Sequence, residues 1–313
     1  MNAPEISIVV ISYNTRDMTL ACLASVHAET RTPFELIVVD NASSDGSAEA
    51  IAEAFPDAIL IAERRNHGFA PAHRIATAHA TAPWLLLLNP DTVVLDGAID
   101  KLLACADRAP DAGIWGGRTL FADGSLNPGS AWGRMTLFSS ISRVLGLSTM
   151  FRRSSLFNSE EIGGWDRSTP REVDIVSGCF FLMRRADWDR LGGFDPAFVM
   201  YGEEADLCLR ARDDGLRPRM TPEATIIHHG GASEAVRADK MVRLMRAKTE
   251  LIRRHFHPAT RRLGAALFAV WPLSRALGWG LLALTGRRGA AERAATWREI
   301  WRRRGEWTGG YSA

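Results

Sequence analysis

Over its first hundred residues the chain alternates short, continuous apolar runs with stretches that carry apolar side chains at helical spacing. Residues 6–14, 34–40, 58–62 and 84–88 are the runs, and Trp84-Leu85-Leu86-Leu87-Leu88 is the purest of them. Short runs this rich in apolar residues predict strands buried on both faces. Between them, Leu20, Leu23 and Val26, then Ala50, Ile51 and Phe55, then residues 72–80, predict helices. Strand and helix in strict alternation predict a parallel, doubly wound sheet with right-handed crossovers. Pro90 cannot donate to a sheet ladder, so the leucine strand ends there and Asp91 falls at its carboxyl end.

The pattern then loosens. A helix is predicted over 97–107 and a strand with close backbone approach at Gly113-Ile114-Trp115-Gly116-Gly117. Residues 121–170 are rich in Gly, Ser and Arg and carry no clear period, which marks a functional loop rather than filler. Order returns with the apolar run 173–183, closed by Arg184 and Arg185 and followed by a helix over 186–191 and a sharp Gly192-Gly193-Phe194-Asp195-Pro196 turn. Tyr201-Gly202-Glu203-Glu204-Ala205-Asp206 opens a helix that Gly215 stops, and a strand over 224–227 ends in His228-His229. Beyond Ser233 the character changes. Met241, Leu244, Met245, Leu251 and Ile252 predict an amphipathic helix within 237–262. Residues 263–284 approach the length of a membrane span, but Pro272 and Arg275 interrupt them and predict a helical hairpin lying in the interface. A last helix is predicted over 290–307, with Trp297, Trp301 and Trp307 among arginines. The expected organisation is one domain over 1–235 and a basic, apolar helical extension over 236–313.

Charge sharpens that division. The 313 residues carry a net charge of only +2, yet 1–130 hold 8 basic and 16 acidic residues, 131–233 hold 13 and 14, and 234–313 hold 17 and 6. The acidic part suits metal-binding carboxylates and the basic part an anionic surface or ligand. The four cysteines lack zinc spacing; Cys22, Cys105 and Cys208 lie in apolar, helix-like surroundings and read as reduced core residues of a cytosolic protein. Met1 to Glu5 lead into the first strand with no charged-then-apolar leader.

In open α/β sheets, ligands bind outside the carboxyl ends of the strands. Asn14, Asp40 and Asp91 stand at three such ends. A carboxylate there can hold a divalent cation, and the cation a diphosphate; the plain alternatives are that Asp91 caps a turn and Asp40 a helix. No G-x-G-x-x-G follows the first strand and no P-loop is present, so dinucleotide and P-loop readings lose their support. Glu203, Glu204 and Asp206 complement the dipole of the helix they open, but three carboxylates in four residues exceed what a cap requires, and one can serve as a general base. His228 or His229 can face the site, since adjacent residues on a strand point to opposite sides.

Taken in order, Ser12-Tyr13-Asn14, Val38 to Ser47, Asn66-His67-Gly68-Phe69-Ala70, Leu88-Asn89-Pro90-Asp91, Val173 to Arg185, Gly192 to Asp195, Tyr201 to Leu207 and His228 to Ser233 resemble the family-2 glycosyltransferases, most of all their bacterial rhamnosyltransferase-like branch. The resemblance spans roughly residues 5–235. It implies a GT-A-type, doubly wound, mostly parallel sheet, with a Rossmann-like nucleotide-binding half and an acceptor half. It implies that Ser12, Tyr13, Asn14, Asp40, Asn66, Gly68, Asn89 and Asp91 bind the nucleotide sugar. Asp91 would close the family's D-x-D metal motif, whose first Asp is Asn89 here. His228, spaced from Gly231 and Ser233 as in the family's H-x-x-G-x-S motif, would join Asp91 in holding Mg²⁺ or Mn²⁺. Glu204, in place of the usual Asp, would be the general base, with Glu203 as the alternative. Asp174, Arg184, Arg185 and Asp206 would line the acceptor side.

The implied activity is inverting transfer of a sugar, L-rhamnose from dTDP-rhamnose as the leading case and a UDP-sugar as the other. The acceptor would be a cell-envelope glycan or a polyprenyl-diphosphate-linked precursor. The tail implies peripheral contact with the inner face of the cell membrane and leaves room for a homo-oligomer. Basic residues beside long apolar runs argue against nucleic acid. The competing class is a catalytically silent sugar-nucleotide-binding or scaffold protein, motivated by Asn89 and Glu204.

Overall fold

The structure is a computed structural model and describes residues 3–230 and 237–311. In chain order its elements are β1 Ile6–Ser12, α1 Arg16–Glu29, β2 Phe34–Asp40, α2 Ser47–Ala54, β3 Ile59–Ala62, α3 Phe69–Thr77, β4 Trp84–Leu88, β5 Thr92–Val94, α4 Ala98–Arg108 and β6 Ile114–Leu120. Three two-residue strands and two short helices occupy the weakly patterned stretch: β7 Leu126–Asn127, β8 Ala131–Trp132, α5 Leu137–Val144, α6 Leu147–Met150 and β9 Arg171–Glu172. Then follow β10 Ile175–Val176, β11 Phe180–Arg184, α7 Arg185–Leu191, α8 Glu203–Asp213, β12 Arg219–His228, α9 Arg237–His255, α10 Pro258–Leu284 and α11 Ala290–Arg302.

The chain forms two compact units. The first comprises 1–132, 166–199 and 203–235; the second 133–165, 200–202 and 236–313. Residues 133–165, placed within 1–235 by the sequence pattern, therefore group with the C-terminal helices, since α5 packs on α10.

The first unit is built on a mixed sheet of order β3-β2-β1-β4-β11-β6-β12-β5. β3, β2, β1 and β4 are parallel, as the alternation of strand and helix requires, and β12 runs parallel to β6. β11 and β5 enter antiparallel. Every residue of β1 is buried, and Ile6, Ile8 and Val10 pack with Leu36, Val38, Leu86 and Leu88 against Leu23 and Val26 of α1 and Ile51 of α2. Helix α3 packs on β1 and β2 through Ala70, Ala72 and Ala76. Burying one fully apolar side chain of this size stabilises by roughly 1.5–3 kcal/mol, so the continuous runs are the main source of the unit's stability. The strand directions bring the carboxyl ends of β1, β2, β3, β4, β6 and β12 and the start of β11 to one edge.

The second unit gathers α9, α10 and α11 around Met245, Ile252, Phe256, Phe268, Trp271, Ile300 and Trp307. The expected hairpin at 263–284 is not formed. α10 is one continuous helix of 27 residues with Pro272 inside it. Its buried face, Gly264, Phe268, Trp271, Pro272 and Ala276, runs past the proline on both sides, and this packing carries the helix through the lost backbone hydrogen bond.

Candidate active site

The β1 and β2 tips are locked to each other. Register places Ser12 beside Asp40 and Asp40 beside Ala62. Asn14 adopts φ 52°, a conformation Asn tolerates. Its N–H donates to Ser43 Oγ at 2.9 Å and its Oδ1 accepts from the Ser44 N–H at 2.8 Å. Ser12 is buried and its hydroxyl meets Thr19 Oγ1 at 3.0 Å, whereas Tyr13 is exposed. Asp40 is buried: Oδ2 accepts from the Ser43 N–H at 3.1 Å, and Oδ1 is enclosed without a hydrogen-bond partner. A buried carboxylate oxygen in that state calls for a donor from a ligand or a water.

Beside it, Asn66 Oδ1 accepts from Asn41 Nδ2 at 3.0 Å and from the Gly68 N–H at 2.8 Å, and Asn41 Oδ1 accepts from the His67 N–H at 2.9 Å. Gly68 sits at φ 85°, and a Cβ there would stand 2.8 Å from the Val199 carbonyl oxygen, which accepts the Phe69 N–H. Only glycine fits that corner.

The second cluster forms past the tip of β4, which is separated from β2 by β1 in the sheet. The β12–β5 pairing sets His228 opposite Thr92 and hence beside Asp91, although 137 positions separate His228 from Asp91 in the chain. His228 Nε2 is 3.4 Å from Asp91 Oδ1 and 3.4 Å from Asn89 Nδ2, while Asp91 Oδ2 accepts from the Gly230 N–H at 3.0 Å. Burial alone would raise the Asp91 carboxyl, but the hydrogen bond and charge of His228 and the Gly230 N–H outweigh it and hold the group below its ordinary range. Burial likewise opposes the His228 imidazolium, and Cys179 and Asp91 overcome it, pushing the group up to about 10. Asn89 Oδ1 is buried without a partner. One carboxylate, one amide oxygen and, once a cation displaces its proton, the His228 imidazole fit a divalent cation whose remaining ligands come from a diphosphate and water. Among the described residues no three His, Cys, Asp or Glu side chains make a protein-only metal cage. Gly231 and Ser233 lie outside the described residues.

A two-residue bridge joins this cluster to α8. The Cys179 carbonyl accepts the Asn89 N–H at 3.1 Å, and Glu204 packs on Gly178, with its Cβ 3.4 Å from where a Gly178 Cβ would stand. Glu203 is buried, and Oε2 has no partner; burial and then the charge of Glu204 push its carboxyl well above the ordinary range.

Of the four residues expected on the acceptor side, two are held at the opposite edge and two are tied into ion pairs. Arg184 pairs with Trp84 at the start of β4, the opposite edge from Asp91, and its guanidinium lies over the Trp84 ring. Arg185 also serves that edge, its N–H donating to the Pro83 carbonyl. Asp206 is buried and paired with Arg210 Nε at 2.7 Å, and Arg210 also ties down the Leu191 and Gly193 carbonyls. Asp174 pairs with Arg212 Nε at 3.0 Å. Conversely, Asn41 and Cys179 emerge as site residues that the sequence pattern did not single out. Asn41 stood inside a quoted motif; Cys179 offered no signal beyond its place after Ser177-Gly178.

Residues 7–192 match the family model described as Glycosyl transferase family 2. The chain belongs to that family. Among its relatives, an N-acetylglucosaminyl-diphospho-decaprenol L-rhamnosyltransferase of Mycobacterium tuberculosis is 29% identical over 71% of this chain and 75% of its own. An O-antigen biosynthesis protein of Myxococcus xanthus is 32% identical over 75% of this chain, though over 18% of its own length. In fold, the chain is similar to a mannosyltransferase from Pyrobaculum calidifontis in complex with GDP-Man and Mn²⁺: TM-score 0.60, 18% identity, 98% of this chain and 86% of that one. This family 2 glycosyltransferase thus carries a GT-A-type sheet, with its two polar clusters on the edge where such sheets bind ligands.

Proposed function

We propose that this glycosyltransferase moves a sugar, L-rhamnose from dTDP-rhamnose as the leading case, onto a hydroxyl of a cell-envelope glycan carried on a polyprenyl diphosphate, with inversion at the anomeric carbon. The observation that carries the reading is the meeting of Asn89, Asp91 and His228, with Glu204 joined to them through Gly178 and Cys179, on the sheet edge that also holds the enclosed Asp40 carboxylate. The name of the mycobacterial relative supports the donor and acceptor classes.

In this reading Asp40 accepts from the base or ribose, and Asn41, Asn66 and Gly68 shape the adjoining wall. Asn89, Asp91 and His228 hold Mg²⁺ or Mn²⁺, which when bound supplies Lewis acidity to the departing diphosphate. Glu204 takes the proton of the acceptor hydroxyl as its oxygen bonds to the anomeric carbon; the bond from that carbon to the diphosphate oxygen breaks on the opposite face. Burial and then the charge of Glu204 raise the Glu203 carboxyl and favour its acid form, which supports Glu204 as the base. One displacement suffices, so no nucleophilic side chain is required. A cytoplasmic enzyme resting peripherally on the inner face of the membrane would meet such an acceptor.

The test is a panel of dTDP-, UDP- and GDP-sugars with Mg²⁺ or Mn²⁺, read by thermal shift and by product formation on a GlcNAc-diphosphoprenol analogue. Stabilisation and turnover with dTDP-rhamnose, with opposite anomeric configuration in the product, are expected. Retention of configuration, or turnover of a different sugar alone, would sink the proposal.

A further inference from the structure

The second unit is unusual on its outside. α5 is inverted relative to an ordinary surface helix: Ser139, Ser140 and Ser142 are buried, while Phe138 is 44% and the following Leu145 65% exposed. Met150 and Leu156, just beyond, are 72% and 60% exposed. α10 repeats the pattern on a larger scale. At 100° per residue, Leu263, Ala266, Val270, Leu277, Leu281 and Leu284 fall within about 60° of one another, on the side opposite Phe268, Trp271 and Ala276. All six are exposed. The stripe is about 32 Å long.

Charge decides what covers it. Between Glu250 and Glu292 there is no acidic residue, and of the seven arginines there Arg253, Arg262, Arg287 and Arg288 are exposed, while Arg254 pairs with Glu250 and Arg275 turns inward to Thr149. Arg287 and Arg293 lie over the ring of Trp279 near the end of the stripe. A second copy of the chain would bring the same cationic segment to the same place, and like charges would face each other. An anionic bilayer supplies the opposite charge to the arginines and hydrocarbon to the leucines.

We propose that the outer face of α10, with the exposed side chains of α5 and residues 145–156, docks in the plane of an anionic phospholipid membrane. α10 lies along the interface and does not cross it. One side of the helix is part of the unit's own core, and Arg275, at mid-helix, donates to Thr149 Oγ1 at 2.9 Å; a span would strip both. The surface deepens the peripheral placement proposed above and rests on it, while sugar transfer to a water-soluble acceptor fragment is read out independently.

The experiment is co-sedimentation of the full chain with vesicles of phosphatidylcholine alone or mixed with phosphatidylglycerol. Wild type is expected on the mixed vesicles, and high-pH carbonate is expected to release it. The triple variant Leu277→Glu, Leu281→Glu, Leu284→Glu should bind about a hundredfold more weakly, and Phe138→Glu with Leu145→Glu should also weaken binding. Arg287→Gln with Arg288→Gln should reduce the preference for phosphatidylglycerol and the sensitivity to salt. All these positions are exposed, so circular dichroism and turnover of the soluble acceptor should match wild type; Glu204→Gln should bind vesicles normally while losing turnover. The proposal is overturned if the triple variant binds like wild type, if wild type resists carbonate as a span would, or if the triple variant dissociates an oligomer and leaves vesicle binding intact.

Discussion

Glu203 and Glu204 are adjacent and chemically identical, but the fold gives them different surroundings. Glu203 is sealed at the start of α8 with its acid form favoured, whereas Glu204 packs on Gly178 one residue from the Cys179 carbonyl that anchors Asn89. Glu204→Gln is expected to cut turnover by about 10²–10⁴ with donor affinity kept, as removal of a general base does. Glu203→Gln, isosteric with the protonated acid, should retain most activity; steady-state kinetics on both variants decides, and the reverse order would exchange their roles. A second prediction concerns Glu35, which accepts from Ser7 Oγ, from Thr81 N–H and Oγ1, and from the Ala82 N–H. Burial acts against its charge, but these donors outweigh it and lower the carboxyl below its ordinary 4.5. A depressed acid contributes stability above its unfolded value that is lost as pH falls through the folded one. Glu35→Gln should therefore cost about 1 kcal/mol at pH 7, discounted for partial exposure. The difference from wild type should vanish in acid, below the lowered value; a pH-independent difference in urea melts would refute it.

At the scale of elements, the parallel half was legible because β1, β2 and β4 are mostly apolar, β4 at every position, and Pro90 terminates β4. The tips of those strands followed from the same logic, which is why Asp40 and Asp91 could be read as strand-end carboxylates. α5 was illegible because its serines face in and its phenylalanine faces out, the reverse of the pattern by which surface helices are recognised. Pro272 misled for a related reason: its helix-breaking tendency is local, and the packing that overrides it is not. The arginines closing β11 read as acceptor ligands until pairing with Trp84 assigned them to the far edge. No side chain at Thr15 caps α1; instead Ser43 and Asp45, in the loop after β2, accept the Asn14 and Arg16 N–H groups. The loop between β3 and α3 carries the prediction proper to this scale. Gly68→Ala meets both a left-handed backbone and the Val199 carbonyl, so it should destabilise by about 2–3 kcal/mol and raise the KM for donor more than it lowers kcat. Unchanged melting would show that the corner can relax.

For the whole molecule, the donor set predicts how metal and substrate depend on each other. Asp91 is the only carboxylate beside His228 and Asn89 in the cluster described above, so Mg²⁺ or Mn²⁺ alone should raise the melting temperature little. The ion together with a nucleoside diphosphate should raise it by more than the two effects added, because each completes the other's ligands. Additive shifts in calorimetry would argue that the nucleotide is held without the ion.

The lateness of β12 has a consequence of its own. His228 reaches Asp91 only when a strand ending at residue 228 docks on one beginning at residue 92. Contacts this distant in the chain form late. A chain ending before residue 219 would lack the strand that carries His228, and Asp91 would stand without its imidazole neighbour. The last strand to leave the ribosome is thus the one that closes this edge of the sheet.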